Sequence, residues 1–339
     1  MSDWQTILAI DYDKRACEVY RANVPGAVVH HGNVADMLGA LPYADVVLGG
    51  PPCQPYSSAG KQLGVDDARD CVPDFCAAIE AVRPRMFLME QVSSFVTDPK
   101  FQLVFRRTFA RLIAASYVVE MRVFDAVRFG VPQFRKRAWF WGIRSDLFYT
   151  NKVQHCWPTP SHVWPHHKDA CMFGGDMLPA VTVGQAVPPS FLASHIHNAI
   201  PKVFEYRWSQ EWLRKHPVAS PALPSPTVLA SRHSVGLVKV VGDSRYLLAV
   251  RKFTPEECAR LQSMPDDFVW PEKFAKTQKY QIIGNGWASG MAQHLSRAFK
   301  AADPASRTVI DLFCGGGCGA VGWHGRSWTY RSPANAFQA

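Results

Sequence analysis

The sequence has 339 residues, 47% hydrophobic and 19% charged, with a formal net charge of +9. That length holds one large domain or one domain with a smaller insert. No apolar run is long enough to span a bilayer, and Asp3, Asp11, Asp13 and Lys14 come too early for a signal-peptide core. The expectation is therefore an intracellular protein without a membrane segment, whose basic balance suits a partner with a phosphate backbone. Nine cysteines, an odd number without a CxxC pair, read as reduced thiols.

In chain order, Ile7-Leu8-Ala9-Ile10 reads as a strand ending at Asp11, followed by a helix through Val19 and Tyr20. Residues 44–50 form a second strand that runs directly into Pro51-Pro52-Cys53-Gln54. Phe75, Ala78, Ile79 and Val82 keep helical spacing up to the stop at Pro84. Met86-Phe87-Leu88-Met89 is a buried-strand run ending at Glu90; Phe105, Phe109 and Leu112 mark a helix, and strands follow near 118–124 and 138–143. Apolar runs alternating with helices predict a parallel α/β sheet. Asp11, Cys53 and Glu90 then stand at C-terminal strand ends, where open sheets bind ligands.

From about 150 to 240 the chain is rich in Pro, His, Trp and Ser and reads as a separate, irregular module. His155, Cys156, His162, His166, His167 and Cys171 cluster there, but their spacing matches no standard zinc site, so no metal is expected. Regular structure returns over 254–263, where Thr254 is placed as an N-cap and Glu257 sits at the capping-box position. Gly284-Asn285-Gly286 precedes a helix through Leu295. Residues 308–317 read as a strand running into glycines, the usual opening of a nucleotide-type binding fold, here at the far end of the chain.

Two prolines fix the backbone ahead of Cys53, and a rigid turn is a poor place for an inert core cysteine. Taken together, these segments resemble the DNA (cytosine-5)-methyltransferase family over nearly the whole chain. Gly49-Gly50-Pro51-Pro52-Cys53-Gln54-Pro55-Tyr56-Ser57 is similar to the family's nucleophile motif, and Met89-Glu90-Gln91-Val92 to its Glu-Asn-Val motif. Gln133, Arg135 and Arg137 match its Gln-x-Arg-x-Arg motif; residues 251–268 resemble the penultimate motif, and Gly284-Asn285 the last. Asp311-Leu312-Phe313-Cys314-Gly315-Gly316-Gly317, with Gly322-Trp323 beyond, is similar to the first motif, which binds S-adenosylmethionine.

The resemblance implies a Rossmann-like class I S-adenosylmethionine-dependent methyltransferase. Its mostly parallel, doubly wound α/β sheet would be built from residues 1–155 and 280–339. A smaller irregular target-recognition domain would occupy 156–279. It implies methyl transfer to C5 of a cytosine flipped out of double-stranded DNA, by a protein expected to be monomeric. C5 is too weak a nucleophile unaided, and a thiolate adding at C6 makes it enamine-like. Cys53 would be that thiolate. Glu90 would bond to N3, while Arg135 and Arg137, with Gln133, would offer fixed donors to the base carbonyl and the Cys53 loop. For S-adenosyl-L-methionine, Phe313, Gly315 and Gly317 would line the methionine and adenine side. Asp11 would accept the ribose hydroxyls and Tyr12 would stack on adenine. Asn33 and Val34 would meet the adenine edge, with Gly50, Asn285 and Trp287 completing the pocket. Taken without the motifs, Asp11 reads equally as a surface carboxylate and Tyr12 as a core aromatic.

The chain departs from the family pattern in several places. Its first motif comes last, as in a circular permutation with residues 301–307 joining the former termini. Gly325, Pro333 and the polar tail shorten the helix after that motif, and Cys318 stands where a glycine is usual. Gln91 replaces an asparagine, Asn33 an aspartate, and Gly286-Trp287 a small-residue and valine pair. A methyltransferase acting on tRNA shares most of these motifs, but that branch carries a Cys-Phe-Thr tripeptide, and no cysteine here precedes phenylalanine. A non-catalytic DNA-binding relative would be expected to lose the nucleophile or the acid, and both are present.

Overall fold

Short runs of Val, Ile, Leu and Met become strands, and the segments between them wind into helices. The computed structural model describes residues 3–52, 56, 70–164, 177–187, 223–230, 234–241 and 244–330, with backbone alone over 234–241 and 244–252. The strands are β1 (Gln5–Asp11), β2 (Val28–His31), β3 (Val46–Gly49), β4 (Met86–Val92), β5 (Tyr117–Asp125) and β6 (Lys136–Arg144). After them come β7 (His162–Val163), β8 (Leu178–Pro179), β9 (Ser234–Val241), β10 (Ser244–Lys252) and β11 (Thr308–Leu312).

The chain divides into two units. The first comprises Met1–Phe124, Lys136–Pro158 and Ala292–Gly325, and the second comprises Asp125–Arg135, Thr159–Met291 and Arg326–Ala339.

The first unit holds a seven-stranded sheet ordered β2-β1-β11-β3-β4-β6-β5. β2, β1, β11, β3 and β4 run parallel, and β6 is antiparallel to β4. The last strand in sequence therefore lies between β1 and β3. The central parallel strands β1, β11, β3 and β4 are buried on both faces over most of their length, whereas the edge strands β2 and β5 are partly exposed. Period-two alternation sends Leu8, Ile10, Phe87 and Met89 to a cluster with Phe75, Ile79 and Leu112 from the helices Val72–Val82 and Gln102–Ala114. On β6, Trp141 stacks on Phe299 at 4.1 Å, and Phe299 meets Trp323 edge-on at 5.2 Å. Fully buried rings of this size each contribute about 3–5 kcal/mol when judged by truncation to alanine.

One boundary differs from the sequence reading and two follow it, each for an identifiable reason. β4 does not end at Glu90 but continues to Val92, because β6 pairs with it as far as Val92↔Arg137. The helix Val72–Val82 stops where Arg83 turns left-handed (φ 48) ahead of Pro84, since the residue before proline is barred from the helical region. As expected, Gly284-Asn285-Gly286 precedes a helix, which runs Ser289–Ala302 and contains Leu295. Gly284 and Asn285 also close the helix Lys276–Asn285.

The second unit carries a β9–β10 antiparallel hairpin, a short parallel β7–β8 pair and the helix Pro255–Leu261. Thr254 and Glu257 cap that helix reciprocally, as their spacing predicts. The helix after β11 spans only Cys318–Trp323.

Candidate active site

The first unit gathers polar groups at the C-terminal ends of its parallel strands. At the end of β1, Asp11 accepts the Asp13 backbone N–H at Oδ1 and that of Gly315 at Oδ2, each at 2.8 Å. Its carboxyl is raised above the ordinary aspartate range because burial outweighs those two bonds. A carboxylate offers about four acceptor positions, so the two backbone bonds orient the group and leave acceptor capacity for a ligand.

Facing it, the turn after β11 is held by the Cys314 N–H on the Ile10 carbonyl at 3.0 Å. Phe313 and Gly315 adopt φ 55 and Gly317 φ 82. A Cβ at Gly315 would project into open space, whereas one at Gly317 would meet the Tyr20 ring at 3.2 Å. One glycine thus leaves a cradle clear and the other admits a close-packed helix.

Tyr12 is 66% exposed, so it is not a core aromatic. His31 Nε2 lies 3.0 Å from the Tyr12 carbonyl oxygen. Asn33 is exposed at the start of the helix Val34–Met37, and Val34 is buried. The residues present fit S-adenosyl-L-methionine: an oriented carboxylate, an exposed ring, an amide and an open glycine cradle share one end of the sheet.

Pro51 and Tyr56, which flank Cys53 in sequence, each accept a side-chain hydrogen bond at the backbone carbonyl. Gln91 Nε2 donates to the Pro51 carbonyl at 2.8 Å, and Ser94 Oγ donates to the Tyr56 carbonyl at 2.7 Å. Tyr56 is fully buried against Phe95 and Phe101. Cys53 itself lies outside the described residues. Gly50 directly follows β3, ahead of the two prolines. On the neighbouring strand, Glu90 and Arg137 form an ion pair, Oε1 to Nε, at 2.7 Å, with both side chains largely buried.

Gln133, Arg135, Asn285 and Trp287 belong to the second unit. Gln133 is fully buried; its Nε2 donates to the Leu261 carbonyl at 2.7 Å and to Gln262 Oε1 at 2.6 Å, and its Oε1 accepts the Val228 N–H at 3.0 Å. Arg135 donates to the carbonyls of Val228, Gly284 and Gly286 at 3.2, 3.2 and 2.8 Å. Gln262 closes the network on Ile283 and Gly286. A Cβ at Gly284 would lie 2.1 Å from the Ala230 nitrogen, so the backbone of 229–230 crosses there only because the residue is glycine. Asn285 is exposed and Trp287 half-buried.

Sequence reasoning passed over three participants. Asp311, inside β11, receives the Tyr20 hydroxyl at 3.0 Å and is raised to about 7 by burial. An acid in an otherwise apolar strand was the available signal for it. Ser94 and His31 carried none, since single polar residues at strand and helix ends are common. His155, from the histidine-rich stretch, lies near the Trp141 carbonyl and Glu120, and His166, His167 and Cys171 lie outside the described residues.

The profile of the family described as C-5 cytosine-specific DNA methylase matches residues 2–301. The chain belongs to this family. It is thus an enzyme that transfers a methyl group from S-adenosyl-L-methionine to C5 of cytosine in DNA. Among similar proteins, type II methyltransferase M.NgoMIV of Neisseria gonorrhoeae is 28% identical over 295 residues, 86% of this chain and 88% of that protein. Type II methyltransferase M.NaeI of Lentzea aerocolonigenes is 28% identical over 307 residues, covering 87% and 69% respectively. Among solved structures, the S. pombe Dnmt2 methyltransferase shares the fold of this methyltransferase with a TM-score of 0.56 at 15% identity, over 88% of this chain and 91% of that one. Among the described residues, no helix is long and apolar enough to cross a membrane.

Proposed function

We propose that the methyltransferase works through Cys53 as a covalent nucleophile on a cytosine flipped out of double-stranded DNA. The observation that carries this reading is the pair of hydrogen bonds, Gln91 to Pro51 and Ser94 to Tyr56, that holds residues on either side of Cys53 in sequence, with Glu90, ion-paired to Arg137, directly before Gln91. Gln91 thus does the work expected of the shorter asparagine, with one more methylene of reach. The Cys53 thiolate adds to C6, forming the S–C6 bond and shifting the C5=C6 π pair toward C5. Glu90, held at one oxygen by Arg137, interacts with N3 and relieves charge on the ring. Bound S-adenosyl-L-methionine supplies an electrophilic methyl group for C5. A base then takes the C5 proton, the S–C6 bond breaks and Cys53 regains its electron pair.

In this reading Asp11 accepts the ribose hydroxyls, Tyr12 covers adenine, Asn33 and Val34 meet its edge, and Phe313, Gly315, Gly317 and Gly50 line the rest. Asn285 and Trp287 are read as further cofactor residues from the last motif, and Gln133 and Arg135 order the backbone of their own unit. The catalytic domain comprises 1–155 and 280–339, the target-recognition domain 156–279, and the protein acts as an intracellular monomer.

The chain is also read as a circular permutation. The family match covers 2–301 and stops short of β11, yet β11 occupies the middle of the sheet. Thr6 Oγ1 lies 2.9 Å from His324 Nε2, and the Trp4 and Trp323 rings are 5.4 Å apart, so the start of β1 and the end of the helix Cys318–Trp323 are adjacent.

Duplex DNA containing 5-fluorocytosine tests the mechanism, because fluorine at C5 blocks proton loss and traps the adduct. A denaturation-resistant protein–DNA band that needs S-adenosyl-L-methionine and vanishes in Cys53→Ala is expected. Undiminished trapping in Cys53→Ala overturns the assignment, and methyl transfer to tRNA but not to duplex DNA overturns the substrate.

A further inference from the structure

We infer that Asp36 sets the purine selectivity of the cofactor pocket by fixing which end of the Asn33 amide faces outward. The inference rests on the reading that Asn33 meets the adenine edge, and it adds the residue that decides how.

Asn33 occupies the N-cap of the helix Val34–Met37 with extended backbone (φ −80, ψ 145). An asparagine there ordinarily turns Oδ1 back onto the N–H groups of the first turn. This one makes no side-chain capping bond. Instead its Nδ2 donates to Asp36 Oδ2 at 3.3 Å. A carboxylate only accepts, so the amino end of the amide must be the end that faces Asp36. Oδ1 is consequently turned away from Asp36 and has no protein partner among the described residues.

The position is tied to the groups that would hold the nucleoside. The Gly32 N–H donates to the Asp11 carbonyl at 3.0 Å, and the neighbouring His31 ring lies 3.0 Å from the Tyr12 carbonyl oxygen. Buried Val34 anchors the other side. The turn carrying Asn33 is thus fixed beside Asp11 and Tyr12, while the amide end presented depends on Asp36.

An outward oxygen matches the 6-amino group of adenine, which donates. It opposes a 6-oxo purine, which would set two acceptors face to face. Without Asp36 the amide can rotate about Cβ–Cγ and offer Nδ2, which a 6-oxo group accepts.

Calorimetric titration of the full-length protein with S-adenosyl-L-homocysteine and with its 6-oxo counterpart, S-inosyl-L-homocysteine, measures this selectivity without turnover. Wild type is expected to favour the adenosyl ligand by about tenfold, the scale of one hydrogen bond gained against one lost. Asp36→Ala should narrow the ratio to about twofold, mainly through tighter inosyl binding. Asn33→Ala should narrow it through weaker adenosyl binding. An undiminished ratio in Asp36→Ala, with a narrowed one in Asn33→Ala, overturns the role of Asp36 and leaves Asn33 at the adenine edge. An undiminished ratio in Asn33→Ala overturns the placement of Asn33, and the inference with it.

Discussion

Arg135 and Arg137 stand two residues apart in one motif and end in different surroundings. Arg137, in the first unit, is paired with the carboxylate of Glu90. Arg135, in the second, is 4% exposed and donates to the backbone carbonyls of Val228, Gly284 and Gly286. A guanidinium facing a single acid at a strand end can follow changes in that acid's charge. A guanidinium bonded to three carbonyls is committed to holding chain segments together, because removing it would strand buried acceptors. The same contrast separates the two regions at large. The strand-end groups of the first unit keep acceptor capacity and exposed surface, while Gln133, Arg135 and Gln262 spend theirs on backbone.

The sharpest way to break this comparison is at Glu90. Glu90→Gln should lower turnover by about 100-fold or more, the usual scale of a proton-transfer or charge-relief group, while DNA binding in a gel-shift assay stays within about twofold. Full turnover in that variant would remove Glu90 from the chemistry. Next in size, Arg135→Met and Gln133→Leu should each cost about 2–3 kcal/mol of stability in urea denaturation. Because both lean on the same Val228 segment, the double variant should lose less than the sum. A turnover loss in Arg135→Met with an unchanged urea midpoint would instead put Arg135 with the catalytic groups.

Asp311 offers a pH test of the first unit. Burial raises it from the ordinary 3.8 to about 7. The folded state therefore holds a proton that the unfolded chain releases. Its stabilising share is fully present below pH 4 and lost as the pH climbs through about 7. Asp311→Asn has no proton to lose, so between pH 5 and pH 8 it should lose less stability than wild type, by about 2 kcal/mol. Equal losses in both proteins would mean that the buried acid does not titrate there. Tyr12→Ala should weaken S-adenosyl-L-homocysteine by about tenfold, as expected for one stacked ring, and an unchanged affinity would leave the exposed ring without a ligand role. The smallest effect is expected from moving residues 302–330 ahead of residue 3. With Trp4 already against Trp323, unfolding free energy should shift by less than about 1 kcal/mol, and failure to fold would show that this chain order is required.

Much of this was legible in the sequence, for local reasons. Continuous apolar runs such as Met86-Phe87-Leu88-Met89 announce buried strands, and Thr254 with Glu257 announces a capped helix, because those signals act over three or four residues. The glycines at 315 and 317 are likewise local demands on backbone conformation. The sequence could not place Gly284 at the end of a helix, because that glycine answers to the backbone of residues 229–230, about 55 positions earlier. Nor could it separate Arg135 from Arg137, which look alike in a motif and differ only in what distant segments bring to them.

The chain by itself determined which runs become buried strands and which turns must be glycine. Only the tertiary structure decided where the last strand goes. β11 enters the centre of the sheet between β1 and β3 because hydrogen-bonding edges and buried faces, not sequence order, choose a strand's neighbours. The glycine turn at the far end of the sequence thereby meets Asp11 at 2.8 Å, across 304 positions of chain.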